Sequence, residues 1–138
     1  MTKILIIEDE ESIRRVLRKV LSEESKNYKI LEAIDGLQAI ETVKSNKIDL
    51  ILCDIKMPKI DGIEVLQFLV KDFPEIPVIM ISGHGDLETA VESMRLGAFD
   101  YISKPPDLNR LLNSVRGALK NIDFRKKNIS TLKKVKDF

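Results

Sequence analysis

The sequence has only one cysteine and one histidine among its 138 residues. Because the lone cysteine, Cys53, cannot form a disulfide within the chain, we expect a reducing compartment and assign this residue to packing. The lone histidine, His84, has no second His or Cys ligand, which argues against a transition-metal site. The apolar start of the chain, residues 1–7, is too short for a signal peptide or a membrane span. We therefore expect a cytoplasmic protein that does not enter a membrane.

The chain also has no large excess of charge of one sign. The chain is 43% hydrophobic with a net charge of +1, which is typical of a soluble globular domain. Residues 120–138 hold seven basic and two acidic side chains, a net +5, which leaves −4 for residues 1–119. This asymmetry predicts a domain over residues 1–119, followed by a basic helical linker or the start of a truncated output region. No GxxxxGK[ST] loop is present, which excludes a P-loop ATPase within this chain.

Short apolar runs alternate with stretches whose apolar residues have helical spacing. The runs predict five strands, over residues 4–7, 28–33, 48–53, 77–81 and 99–102. The spaced residues predict five helices, marked in turn by Ile13, Val16, Leu17, Val20 and Leu21; by Leu37, Ala39, Ile40 and Val43; by Ile63, Leu66, Leu69 and Val70; by Ala90, Val91 and Met94; and by Leu108, Leu111, Leu112, Val115 and Leu119. Asp86 and Asp107 are suited to capping the last two helices, and Gly97 to ending the fourth.

Five strands alternating with five helices predict an α/β fold, in which right-handed crossovers build a parallel sheet covered by helices on both faces. Uninterrupted apolar strands such as 50–53 and 78–81 agree with burial from both sides. In such sheets the functional groups gather at the carboxyl ends of the strands. The residues that fall at this edge are polar or charged: Glu8, Asp9, Asp54, Ser82 and Lys104.

These five residues predict a phosphoryl-transfer site. Neighbouring carboxylates repel one another unless a cation neutralises them, and Mg²⁺ is held in proteins by a few carboxylates. A lysine and a hydroxyl opposite the acids suit an incoming phosphoryl group. Asp54 is the expected nucleophile, because it stands alone at the end of the central strand rather than beside a second acid.

Four motifs in this order carry a resemblance to a known family: "ILIIEDEE" (4–11), "LILCDIKMPKIDG" (50–62), "IMISGHG" (79–85) and "FDYISKP" (99–105). Residues 2 to about 119 resemble a response-regulator receiver domain of two-component signalling. The resemblance implies a flavodoxin-like, doubly wound (βα)5 fold with strand order 2-1-3-4-5. It also implies a phosphorylation-dependent switch whose phosphoryl donor is a sensor histidine kinase.

The resemblance implies roles for the residues around the metal. Asp54 would be the phosphoacceptor and also a Mg²⁺ ligand. Asp9 would bind the ion directly, the backbone carbonyl of Lys56 would complete the protein's share, and Glu8 would act mainly through water. Glu8 is a mild departure, since Asp is commoner at this position, and the longer side chain can alter metal affinity.

The resemblance also implies which residues contact the phosphoryl group and respond to it. Ser82 and Lys104 would contact it, and Ser82 and Tyr101 would form the switch. Lys104 precedes Pro105, and the peptide bond at this position is often cis in the family. Pro106 is a second departure that stiffens the segment leaving the site.

Within the family, "SGHGDLETAVESMRLGAFDYISKP" (82–105) resembles the NtrC-like, nitrogen-regulatory class. This implies an output in transcription, through a helix 4/strand 5/helix 5 surface that can also form a homodimer. If the chain is truncated, ATPase and DNA-binding domains would follow, and this domain itself would not contact nucleic acid. The alternative is a stand-alone receiver that acts as a phosphorelay or protein-interaction module.

Two other function classes fit less well. A phosphatase with an aspartyl-phosphate intermediate would need a second acid two residues after Asp54, where the chain has Lys56. Flavin binding would need a Ser/Thr-rich loop after the first strand, but "EDEES" is acidic. We therefore expect no independent substrate turnover beyond phosphotransfer and autodephosphorylation. Lys56 and His84 are expected to tune phosphoryl lifetime by obstructing the attacking water, and the alternative for His84 is that its neutral imidazole accepts the proton of that water.

Overall fold

The computed structural model describes residues 1–57, 60–83 and 87–136, with side chains described up to residue 122. Its strands are β1 (Thr2–Ile7), β2 (Tyr28–Ala33), β3 (Leu50–Asp54), β4 (Val78–Ser82) and β5 (Asp100–Ser103). Its helices are α1 (Glu11–Glu24), α2 (Gly36–Ser45), α3 (Gly62–Asp72), α4 (Leu87–Leu96) and α5 (Leu108–Lys136). Each predicted element is present, and β2 has the predicted bounds.

The five strands form one sheet in the order β2-β1-β3-β4-β5, with every neighbouring pair parallel. This confirms the predicted α/β fold and its strand order. Because the order reverses between β1 and β3, the helices cover both faces, and a crevice forms at the carboxyl ends of these two strands. The site residues lie along this edge.

The sheet divides the core into two apolar clusters. On one face, α2 and α3 pack residues such as Val43 and Leu66 against the sheet. On the other face, α1 and α5 contribute residues such as Leu17 and Val115. The three central strands are therefore buried on both sides, as their uninterrupted apolar sequences predicted.

Several apolar residues that marked the helices do not face the core. Val16, Leu37, Val91, Met94 and Leu108 are exposed. In α2 the buried positions are Gly36, Ala39 and Val43, so the predicted Ala39 and Val43 face the core, and Gly36 rather than Leu37 begins the inward stripe.

The helix ends agree with the predictions wherever they are described. The Asp107 carboxylate accepts the backbone N–H groups of Asn109 and Arg110 at 2.9 and 3.2 Å. Gly97 follows α4 with a φ of +109°, a conformation that glycine adopts without strain. Asp86 lies outside the described residues. The backbone of α5 continues as one helix through residue 136, and the division of the chain at residue 119 stays a prediction.

Among the described residues, no helix is both long enough and apolar enough to span a membrane.

Candidate functional site

Three acids meet at the carboxyl edge of the sheet. Glu8 and Asp9 directly follow β1, and Asp54 is the last residue of β3. One carboxylate oxygen from each of them lies within 4.8 Å of the others. Glu8 and Asp54 are buried, whereas Asp9 is exposed to solvent. The site therefore has two buried acids and one acid at its mouth.

Lys104 supplies the cation that faces these acids. Its ammonium nitrogen lies 3.0 Å from Oε2 of Glu8 and 3.2 Å from Oδ1 of Asp54. The backbone N–H of Lys104 donates to the carbonyl of Ser82 at 2.7 Å, which holds the residue next to β4. The Lys104–Pro105 peptide bond is cis, as the resemblance implied. A single ammonium thus bridges two carboxylates that come from different strands.

The charge in the site is not balanced. Burial raises the pKa of Glu8 to about 7, and the charge of Asp54 adds to the rise. Burial also raises the pKa of Asp54, against the opposing effect of Lys104. Burial lowers the pKa of Lys104, but its hydrogen bond to Glu8 and the charges of both acids outweigh this, and the net shift is upward. The acids therefore retain negative charge for which a further cation would be favourable.

The donor set fits a hard divalent cation. Every side-chain donor offered by Glu8, Asp9 and Asp54 is a carboxylate oxygen, and the three are close enough to share one ion. Hard cations such as Mg²⁺ prefer oxygen ligands of this kind and keep several waters. The exposure of Asp9 leaves room for those waters. Such an ion would offset the burial and the Asp54 charge that together raise the pKa of Glu8.

Ser82 contributes a buried hydroxyl without a partner. It is the last residue of β4 and is fully buried, and its Oγ forms no hydrogen bond in the described structure. A buried hydroxyl without a hydrogen bond is costly, and one explanation for it in a native protein is a functional role. A phosphoryl oxygen bound at Asp54 could accept this hydrogen bond.

Tyr101, the predicted switch residue, lies on β5 next to β4, where it pairs in register with Met80. Its ring is partly buried and packs against the core cluster that α2 and α3 cover. The structure therefore places Tyr101 on the strand beside Ser82 and in contact with the core.

An open depression of about 530 Å³ lies beside the exposed Asp9 and is also lined in part by Lys56 and Thr89. Lys56 is exposed on the loop after β3, and its effect on phosphoryl lifetime stays a prediction. His84, the other residue expected to tune lifetime, lies outside the described residues.

Two residues that shape the site were missed by the sequence predictions. At Gly62, a Cβ would overlap the carbonyl oxygen of Asp54 and lie 2.6 Å from Cα of Ile55. At Arg14, the guanidinium donates to the carbonyl of Glu8 at 2.8 Å. The Asp61-Gly62 break signalled a turn but not a close approach to Asp54, and no spacing rule singles out Arg14.

Comparison with known proteins identifies the class to which this fold and site belong. Residues 4–116 match the family model of the response regulator receiver domain. The chain therefore belongs to this family, and it is a phosphorylation-dependent signalling switch.

Individual relatives indicate which class of response regulators this receiver domain resembles. The nitrogen assimilation regulatory protein NtrX of Azorhizobium caulinodans is 35% identical over 125 residues, covering 89% of this chain and 27% of that protein. The sporulation initiation phosphotransferase F of Bacillus subtilis is 37% identical over 114 residues, covering 83% and 90%. The crystal structure of the NtrX receiver domain from Brucella abortus superposes with a TM-score of 0.80 at 37% identity, covering 85% and 98%. The receiver is of the NtrC-like class, as its sequence indicated.

The chain spans less than a third of the length of the NtrX-type curated relatives that it matches.

Proposed function

We propose that Asp54 accepts a phosphoryl group from a sensor histidine kinase and that this modification changes the surface formed by α4, β5 and α5. The observation that carries the proposal is the position of Asp54. This buried carboxylate ends the central strand, 3.2 Å from the Lys104 ammonium, and the adjacent strand ends at Ser82, whose hydroxyl has no partner among the described residues. These are the groups that an acyl phosphate needs around it.

In the proposed reaction, a carboxylate oxygen of Asp54 attacks the phosphorus of a phosphohistidine. The new O–P bond forms as the P–N bond breaks, and the imidazole of the kinase leaves with the bonding electron pair. Lys104 and the Ser82 hydroxyl contact the phosphoryl oxygens, which disperses the charge that develops on them. Asp9, Asp54 and the backbone carbonyl of Lys56 would hold Mg²⁺, which neutralises the phosphoryl group when bound. Glu8 would act through water, since its Oε2 is already engaged by Lys104.

The signal would leave the site through Ser82 and Tyr101. Once its hydroxyl bonds to the phosphoryl group, Ser82 moves toward Asp54, and Tyr101 turns into the vacated space. This motion changes the α4, β5 and α5 face, where Val91 and Met94 already expose apolar surface. The face can then form a homodimer or contact an output domain.

For the output we propose control of transcription in the cytoplasm, through ATPase and DNA-binding domains that would follow this domain in a longer protein. Similarity to NtrX, named as a nitrogen assimilation regulatory protein, supports this. The domain would not itself contact nucleic acid, and it would turn over no substrate beyond its own phosphotransfer and dephosphorylation. A stand-alone phosphorelay role has separate support, because the chain covers 90% of a sporulation phosphotransferase at 37% identity.

The phosphoacceptor can be tested by incubating the protein with acetyl phosphate and Mg²⁺ and mapping the phosphorylated peptide by mass spectrometry. Asp54→Asn should abolish labelling. Asp61→Asn is the matched control, because Asp61 is an exposed acid in the loop after β3 whose role as the α3 N-cap an amide can preserve. Labelling of Asp54→Asn to the wild-type extent would show that another group accepts the phosphate.

A further inference from the structure

Arg14 lies in the first turn of α1 and reaches back toward the acidic site. Its Nη1 donates to the backbone carbonyl of Glu8 at 2.8 Å. Its Nε lies 3.6 Å from Oε1 of Glu32 on β2, and the side chain is only 15% exposed. The guanidinium is therefore held in place between a strand carboxylate and the peptide that joins Glu8 to Asp9.

The Asp9 side chain follows that peptide directly, and its carboxylate has few other contacts in the described structure. The backbone N–H of Glu8 donates to the carbonyl of Ala33 at 3.0 Å, so Glu8 is anchored to β2 on one side and to Arg14 on the other. The Asp9 carboxylate is exposed, and it has no hydrogen bond or ion pair to the described part of the chain. The direction of the Asp9 side chain thus depends on the backbone between Glu8 and Glu10, where Arg14 binds the Glu8 carbonyl and the Glu10 N–H donates to Oε1 of Glu8 at 3.3 Å.

We propose that Arg14 is a positioning residue for divalent-metal binding, whose hydrogen bond to the Glu8 carbonyl orients the following Asp9 carboxylate. This rests on the proposed function, in which Asp9 is a direct ligand. Mg²⁺ demands near-ideal octahedral geometry, so a ligand that is free to rotate costs affinity. Groups that hold a metal's ligands typically change its affinity by about 10–100-fold when they are removed.

A purely electrostatic role predicts the opposite sign. Arg14 is a cation close to a site for another cation, so the loss of its charge alone would strengthen Mg²⁺ binding. The loss of a positioning hydrogen bond would weaken it. The direction of the change in affinity therefore separates the two roles.

Arg18 provides a matched control on the same helix. It also pairs with Glu32, at 2.8 Å, and donates to the carbonyl of Ile30 at 3.4 Å. No bond joins it to Glu8 or Asp9 within the described residues. Arg18→Met thus removes the same charge, from the same helix and the same carboxylate, without touching the peptide between the two acids.

The test is isothermal titration of the whole chain with MgCl₂, using wild type, Arg14→Met, Arg14→Lys and Arg18→Met, each shown to be folded by urea unfolding. Arg14→Met should weaken binding about tenfold, and Arg18→Met should change it by less than about twofold. Arg14→Lys, which keeps a single donor, should recover part of the loss. At saturating Mg²⁺, Arg14→Met should again accept phosphate from acetyl phosphate, because Arg14 acts through the metal ligand and not on Asp54.

Two results would overturn the inference: unchanged or tighter Mg²⁺ binding by Arg14→Met, or equal weakening by Arg14→Met and Arg18→Met. Equal weakening would show that only the packing of α1 on β2 matters. A wild-type chain that binds no Mg²⁺ would instead contradict the proposed metal site itself, so the two failures are distinguishable.

Discussion

The ammonium nitrogen of Lys104 lies 3.2 Å from Oδ1 of Asp54, and both side chains are largely buried at the edge of the sheet. The same ammonium lies 3.0 Å from Oε2 of Glu8. One cation thus joins β1, β3 and the end of β5 before any phosphoryl group arrives. This bridge makes Lys104 part of the resting structure as well as of the proposed transfer site.

Replacing Lys104 with Met should lower the free energy of unfolding in the absence of Mg²⁺ by about 1–3 kcal/mol, because two buried carboxylates lose their partner. The loss should be larger at pH 8 than at pH 6, since at lower pH Glu8 can become neutral by taking up a proton. Urea unfolding at both pH values measures this, with Lys19→Met, at an exposed site on α1, as the control. Equal stability of the two variants at pH 8 would contradict the bridge.

Glu8 should make the effect of Mg²⁺ depend on pH. Its pKa is raised from 4.5 to about 7 by burial and by the charge of Asp54. A raised carboxyl pKa favours the protonated folded form, so the Glu8 contribution to stability without metal should fall as pH rises from 4.5 to about 7. Added Mg²⁺ should therefore raise Tm more at pH 8 than at pH 5.5.

The matched pair for this measurement is Glu8→Gln and Glu41→Gln. Glu8→Gln removes the titrating group and should flatten the pH dependence of the Mg²⁺-induced Tm shift. Glu41 is exposed on α2, away from the acids, so Glu41→Gln should keep the wild-type profile. A Glu8→Gln profile that still follows wild type would assign the titration to another group.

Gly62→Ala should damage both stability and the site. The new methyl would overlap the carbonyl oxygen of Asp54, so backbone must move at a cost of about 1–3 kcal/mol. Gly117→Ala is the contrasting variant within α5, because its methyl would meet the Phe99 ring at an ordinary 3.7 Å. That change should stabilise by about 0.5–1 kcal/mol. Urea unfolding and phosphorylation of Asp54 report both effects, and a Gly62→Ala protein with wild-type values would refute the steric argument.

Most of the fold was predictable because burial on both faces leaves uninterrupted apolar runs in the central strands. The predicted third and fourth strands each ended one residue early, at Cys53 and Ile81. The apolar run stops there, but the sheet continues: Asp54 pairs with Ile81, and Ser82 pairs with Ser103. Asp54 and Ser82 are thus held in place by strand pairing, which could not be predicted from the sequence because both residues are polar.

The features that were not predicted depend on contacts between segments that are distant in the sequence. These contacts leave no recognisable sequence pattern. Helical spacing located α2 but could not show that Gly36, rather than Leu37, faces inward. That choice follows from Ile60, against which a Cβ at position 36 would lie only 2.8 Å away. The contact of Arg14 with the carbonyl of Glu8 likewise involves a backbone atom, which carries no residue identity.

Ser82→Ala should impair the proposed Tyr101 switch without lowering the free energy of unfolding. Its Oγ is buried and unpaired in the described structure, so its removal should leave the unfolding free energy unchanged or raise it by up to about 1 kcal/mol. Ser93→Ala is the matched control, because this equally buried hydroxyl donates to the carbonyl of Thr89 at 2.8 Å, and its loss should not stabilise. After addition of beryllofluoride and Mg²⁺, the NMR shifts of Tyr101 should change in Ser93→Ala and wild type but little in Ser82→Ala. Full Tyr101 shifts in Ser82→Ala would exclude the proposed route.

The last prediction concerns the lifetime of the phosphorylated state. Hydrolysis needs a water in line with the bond between phosphorus and the Asp54 oxygen, and that water must approach from the solvent side. Lys56 is exposed on the loop after β3 and lines the depression beside Asp9. We expect its long cationic side chain to lie across the phosphoryl group. A cation bound to the ground state stabilises the phosphoryl group without placing a water, so Lys56 should slow hydrolysis.

We therefore expect a long-lived phosphoryl state, suited to a slow transcriptional output. Lys56→Asn should lose phosphate faster than wild type, because the shorter neutral amide does not obstruct the water. His84→Ala should also accelerate the loss if this imidazole obstructs the water, whereas slower loss would show that it accepts the proton of that water. Dephosphorylation should be timed after the phosphodonor is removed, with Lys19→Met as a control for the loss of a surface charge far from the site. Phosphate loss no faster than wild type in both Lys56→Asn and His84→Ala would contradict the obstruction of the attacking water.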